Sequence, residues 1–233
     1  PHIIVDPVFL VLTGLVVIII AVSLSRFWKG LRAGTDSADL SIIDALKRSA
    51  LSKLIELLLH KKFYECGSAR IRMLAHMSIF YGCLAFLLVT AAVFIGTYAF
   101  GIETPLSSYN PLKIIANLGA IAVIFGCLLV IFRRLRGGKD VGNSSYLDWN
   151  LIVLVLTVTV LGVLTEVLRL AELATAAYVL YFIHLVSVFY GIAYFPYSKL
   201  AHLMYRSLAI MYKDSLKPLS PKPRKIPDSE IVI

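Results

Sequence analysis

The stretch Ala176–His202 reads AAYVLYFIHLVSVFYGIAYFPYSKLAH, an apolar run with a histidine near its start and another at its end. His184 and His202 are 18 residues apart. At about 3.6 residues per turn and 1.5 Å per residue, that gap is about five turns and about 27 Å of one helix. Both imidazoles are therefore expected on one face, one near each surface of a bilayer. Neutral imidazole is a good axial ligand for haem iron. A single helix with two such ligands in phase would hold two haems, one above the other. The competing reading is that each histidine separately satisfies a polar contact inside a helix bundle.

The rest of the chain supplies the membrane setting. Of its 233 residues 59% are hydrophobic, and the mean hydropathy is +0.83. A water-soluble domain cannot hide that much apolar surface. Five runs approach the ~20 residues needed to cross the hydrocarbon: Pro7–Trp28, Met73–Ala99, Leu112–Phe132, Trp149–Leu170 and Ala176–Leu200. The first is too long for a leader peptide core and lacks a basic stretch before it, so it reads as a retained span. The expected fold is an all-α membrane protein, five transmembrane helices bundled around b-type haem. Residues 1–213 form that domain, and 214–233 form a Pro/Lys-rich tail.

Charge orients the spans. Of the 23 basic residues, 21 fall in the segment between spans one and two, the loop between spans three and four, and the stretch from Lys199 onward. Lys113 and Arg169 alone lie on the other side. The positive-inside rule then sets the N-terminus outside and the C-terminus in the cytoplasm. The net charge of +9 is thus a topology signal, and a nucleic-acid partner is excluded. Cys66, Cys83 and Cys127 match no zinc or iron–sulfur spacing, so any cluster serving this protein belongs to another chain.

Between spans one and two, Leu40, Ile43, Leu46, Leu51, Leu54, Ile55 and Leu58 recur at helical spacing among Lys47, Arg48, Lys53, Lys61 and Lys62. Residues 39–62 are expected to form an amphipathic helix on the cytoplasmic face, started by Asp39 or Ser41. It either rests on lipid or forms a docking ledge for a soluble partner. The tail Lys217-Pro-Leu-Ser-Pro-Lys-Pro-Arg-Lys is too polar and proline-rich to pack by itself.

Depth assigns the histidines. His76, a few residues into span two, and His202, at the end of span five, share the cytoplasmic leaflet and can face each other across a bis-histidine b haem. Gly82 and Gly191 would relieve crowding against a flat macrocycle, or simply let helices pack closely. Arg70, Arg72, Lys199 and Arg206 either neutralise propionates or anchor the helix ends. His184 lies toward the outer leaflet, where the facing window Phe86–Thr90 holds no histidine. An outer haem therefore has one span-borne imidazole or borrows His2. His60, in the surface segment, is not expected to ligate.

Tyr181-Phe-Ile-His184-Leu-Val with Phe195-Pro-Tyr-Ser-Lys-Leu-Ala-His202 resembles the last helix of respiratory nitrate reductase gamma subunits, as do Leu74-Ala-His76 and the Arg-Arg-Leu close of span three. Those are five-span, dihaem cytochromes b. The resemblance implies that His76 and His202 ligate the haem nearer a cytoplasmic iron–sulfur subunit, and His184 the distal one. That family has a further histidine where this chain has Phe86. Arg72-Met-Leu-Ala-His76, Phe80-Tyr-Gly82 and Leu164-Thr-Glu166-Val-Leu-Arg169 look more like the membrane subunits of heterodisulfide-reductase-like and sulfite-reduction-associated complexes.

Glu166 and Arg169 are three apart on span four, hence on one face near the outer surface. Charges at that depth face each other or a cavity. They form either a structural ion pair or the border of a quinol pocket, with Glu166 taking the proton. Lys113 orients a quinone oxygen or anchors span three. The reading that unites these residues is a haem b subunit in a prokaryotic cell membrane. It would pass electrons between menaquinone or a similar lipid-soluble carrier and a cytoplasmic iron–sulfur subunit. The rival is a non-redox anchor or transporter. Transporters built from related halves do not suit five spans.

Truncation after Lys213, or charge reversal of Lys47, Arg48 and Lys53, should release the soluble partner and leave the haems bound. Pull-down in detergent checks this, and a complete complex after both changes would argue against docking on that face.

Overall fold

The computed structural model describes residues 2–33, 70–137 and 146–216. Among them all regular structure is helical: α1 (His2–Ala33), α2 (Arg70–Phe100), α3 (Pro111–Leu135), α4 (Tyr146–Leu170), α5 (Ala174–Tyr194), a 3₁₀ turn (Phe195–Tyr197) and α6 (Lys199–Leu216). Five stretches are long and apolar enough to cross a membrane: Ile4–Ala33, Arg70–Phe100, Pro111–Leu135, Tyr146–Leu170 and Ala174–Lys213. His60, the amphipathic segment 39–62 and the tail from 217 lie outside the described residues, as does the side chain of His2.

The fifth stretch corrects one expectation. Instead of running to Leu200, the helix stops at Tyr194. Pro196 has no N–H to give the ladder. Ser198 then turns extended, with φ −85° and ψ 170°. Its hydroxyl and its N–H both donate to the Phe195 carbonyl, at 2.7 and 3.2 Å. His202 therefore sits in the first turn of a separate helix, and counting turns from His184 does not place it. With 21 residues, α5 is about 31 Å long, enough to span the hydrocarbon by itself.

The chain divides into two compact units, 1–16 with 63–199, and 17–62 with 200–233. In the first, α2 packs on α3, α3 on α4 and α4 on α5. The α2–α3 contact is a seam of small residues. A Cβ on Gly82 would stand 2.5 Å from Val123 Cγ2 and 2.8 Å from the Gly119 carbonyl. One on Gly126 would stand 2.8 Å from the Ala75 carbonyl. Ala75 and Gly82, like Gly119 and Gly126, are seven apart, so each pair lies on one face. The two backbones approach directly, as membrane helices do without a hydrophobic driving force between them. Gly82 is thus a close-packing residue of this seam. Gly191 would put its Cβ at an ordinary 3.5 Å from Leu154 on α4.

Among the described residues only Val123 and Cys127 are large side chains sealed completely, while Leu87, Leu118, Ile121 and Phe182 are each at least 61% exposed. That inversion fits hydrocarbon as the solvent. Three hydroxyls inside the spans satisfy themselves locally: Thr159, Thr165 and Ser187 donate to the carbonyls of Val155, Leu161 and Ile183 at 2.8, 2.8 and 2.9 Å. In the second unit Trp28, Leu208 and Tyr212 form a core with Leu24, Phe27 and Leu31. The Trp28 and Tyr212 rings meet edge to face at 5.1 Å.

The helix ends are specific. Asn110 caps α3 by accepting from the Leu112 N–H at 2.9 Å, with Pro111 at the first helical position. At the end of α4, Glu172 adopts φ 59°. The Glu172 and Leu173 N–H groups close back on Arg169 and Leu168, at a position usually given to glycine.

Gly82→Ala should lower thermal stability in detergent by about 1–3 kcal/mol through overpacking of the seam. Gly14→Ala, where the added Cβ meets nothing within 4 Å, should leave it unchanged or raise it by up to ~1 kcal/mol. Melting curves of both variants check the opposite signs.

Candidate functional site

Helix α4 organises the polar groups of the first unit. Its residues Val155, Thr159, Gly162, Glu166 and Arg169 alternate four and three apart, so they form one stripe along the helix. Thr159 is buried. Glu166 reaches across to α3 and pairs with Lys113 at 2.7 Å, with 14% and 24% of the two side chains exposed. The carboxylate therefore has its cation on a neighbouring helix, and Arg169 lies one turn further along α4.

One turn in the other direction, about 6 Å along the axis, α4 meets His184 of α5. The His184 Nδ1 lies 3.0 Å from the Val158 carbonyl. A carbonyl only accepts, so Nδ1 carries the proton, and neutral imidazole then keeps its lone pair on Nε2. The ring is seated over Gly162, whose missing Cβ would stand 3.2 Å from Cε1 and 3.5 Å from Nδ1. This is the donor set that axial ligation requires: one ring nitrogen fixed by a main-chain acceptor and the other available as a base. His184 thus fits a haem ligand by its chemistry.

The remaining candidates are distributed. His76, in the second turn of α2, is exposed and stacks on Phe80 at 6.3 Å. His202 is exposed on α6 and belongs to the second unit. Phe86 is half-buried and turned toward α3, its ring 3.6 Å from where a Gly119 Cβ would be. Lys199, one of the suggested propionate partners, instead pairs with Asp148 at 2.6 Å. Arg134 approaches the same carboxylate at 3.9 Å and lies over the Trp149 ring.

Gly162 and the Val158 carbonyl are not evident as site groups from the sequence, although Gly162 is the only glycine in α4 and stands one turn from Glu166. A main-chain acceptor leaves no mark in a sequence. Asp6 is equally inconspicuous there; it accepts from the Tyr98 hydroxyl at 2.6 Å, tying α1 to α2.

Over 154 residues the chain is 30% identical to one of the subunits of the dihydromethanophenazine:CoB–CoM heterodisulfide reductase from Methanosarcina acetivorans. The chain is a multi-pass membrane protein similar to a heterodisulfide reductase subunit. The match covers 60% of this chain and 58% of that subunit, so the chain spans less than two thirds of the relative's length. No family model and no solved structure matches. Of the two groups that the motifs resemble, the similarity falls on the heterodisulfide reductase side.

The Lys113–Glu166 pair is partly shielded, so its coupling should exceed that of a surface pair. A double-mutant cycle with Lys113→Met and Glu166→Gln should give about 1–2 kcal/mol in unfolding free energy. Additive single effects would show that the contact does not hold α3 to α4.

Proposed function

We propose that this chain is the haem b-carrying membrane subunit of a multi-subunit oxidoreductase. It exchanges electrons between a lipid-soluble quinol, such as menaquinol or a phenazine-type carrier, and a cytoplasmic iron–sulfur subunit. The observation that carries this reading is His184. Its Nδ1–H is fixed on a carbonyl and its Nε2 stays basic, one helical turn from the Lys113–Glu166 pair. The similarity to a heterodisulfide reductase subunit supports an electron-transfer role.

Haem iron bound at His184 supplies a one-electron acceptor within the membrane. Quinol oxidation also releases two protons, and Glu166 is the base nearest to His184 along α4. Lys113 is the counter-ion that holds this carboxylate in place. It also provides an N–H⁺ donor that can orient a quinone oxygen, while Arg169 adds positive charge one turn on. His76 and His202 are assigned to the inner haem through the family resemblance, with cytoplasmic orientation following from the basic loops. Phe86 stands at the sequence position where the nitrate reductase gamma subunits have a histidine, so an outer haem would take one imidazole from the spans, His184, or borrow His2 as well.

Electron paramagnetic resonance of the oxidised protein tests the assignment. His76→Ala and His202→Ala should each abolish the same low-spin signal, and His184→Ala only a second, high-spin or unusually ligated one. Two alike low-spin signals that survive deletion of residues 1–5 would contradict it. Glu166→Gln should slow quinol oxidation by about 10² or more, with dithionite reduction of the haems unchanged.

A further inference from the structure

In an α-helix a carbonyl at position i lies beneath the side chain at i+4. Val158 and Gly162 have that relation on α4, and Gly162 brings no side chain to cover the Val158 oxygen. The α-helical ladder uses one lone pair of this oxygen for the Gly162 N–H. A carbonyl has two, and the second points out through the gap. His184 enters there: Nδ1 is 3.0 Å from the oxygen, and Cε1 lies 3.2 Å from where a Cβ on Gly162 would be.

We propose that Gly162 is a positioning residue, a window in α4 through which the Val158 carbonyl fixes the tautomer, orientation and basicity of His184. The inference rests on the reading of His184 as a haem ligand for its consequence, though not for its geometry. Two properties follow. The neutral ring cannot settle as the Nε2–H tautomer without abandoning its hydrogen bond to Val158 in a region where hydrocarbon offers no substitute. The acceptor on Nδ1–H also pushes electron density onto Nε2, which strengthens its donation to a bound cation. A stronger donor favours the ferric over the ferrous state, so the window lowers the reduction potential of iron bound there.

For α4 alone the position is unfavourable. Glycine in a helix interior costs about 1 kcal/mol relative to alanine. Gly162 is not needed for backbone contact with α5, because the group closest to it is the imidazole itself. Its role is accordingly separable from the α2–α3 seam, where Gly82 and Gly126 face main-chain atoms.

The test compares the full-length purified protein with Gly162→Ala, Gly162→Val and Gly14→Ala. Nitrogen-15 histidine labelling with solid-state NMR reads the His184 tautomer, assigned by its loss in His184→Ala. Redox titration and resonance Raman spectroscopy read the iron. The wild type and Gly14→Ala should show His184 protonated on Nδ1. Gly162→Val, which covers the carbonyl, should keep Nδ1 protonated while iron holds Nε2 but lose the hydrogen bond to Val158, which shifts the Nδ1 nitrogen-15 resonance. It should also lower the ferrous iron–histidine stretching frequency and raise the potential of the His184-dependent haem, by about a tenfold equilibrium change or ~59 mV for one electron. Gly162→Ala should shift the same readings part of the way. As alanine is the better helix former, a folding defect would not account for the change. An unchanged Nδ1 resonance and iron–histidine frequency in Gly162→Val would overturn the inference. If no haem signal depends on His184, the functional reading falls, and the window is then judged by the NMR alone: Nε2–H or a mixture in the wild type rejects it.

Discussion

Hydrocarbon offers no hydrogen bond, so a polar atom inside the spans that lacks a partner within the protein is costly. This constraint orders the first unit. Hydroxyls of Thr159, Thr165 and Ser187 turn back onto their own helices. Glu166 takes its cation from α3, and His184 takes a carbonyl from α4. The last two contacts differ in kind from the first three because they join helices. They also leave reactive valence unspent: a carboxylate oxygen at Glu166 and a lone pair at His184.

Small residues make those contacts reachable. The α2–α3 seam brings two backbones together through Ala75, Gly82, Gly119 and Gly126, and α3 in turn carries Lys113 to α4. Gly162 has a different office, admitting a side chain to a backbone. One structural device, a missing Cβ, thus serves packing in one place and the electronic state of a histidine in another. At the basic end Asp148 draws Lys199 and Arg134 together, closing the start of α4 with charge where its first-turn N–H groups favour an anion.

Much of the fold is legible in the sequence, for physical reasons that can be named. Hydropathy and length find the spans because the bilayer's thickness is fixed, and no tertiary information is needed. The break at Phe195–Ser198 is visible only as Pro196, and proline inside a membrane helix often merely kinks it. The Ser198 hydroxyl on the Phe195 carbonyl ends it here. The candidate site is legible only in part. Glu166 and Arg169 stand out as charges in an apolar run, whereas spacing along one helix cannot show that Lys113 reaches Glu166 from the next. His184 is conspicuous. Its acceptor is not, because a carbonyl belongs to every residue and only the absence of a side chain at Gly162 makes this one special.

The central claim is that the chain carries haem b, and the most direct measurement is optical. The purified protein, oxidised in air and then reduced with dithionite, should develop the sharp α-band of a b-type cytochrome, lost in His76→Ala and in His202→Ala and kept in His184→Ala. A reduced-minus-oxidised spectrum with no α-band, from protein that is folded and membrane-extracted intact, would contradict the account.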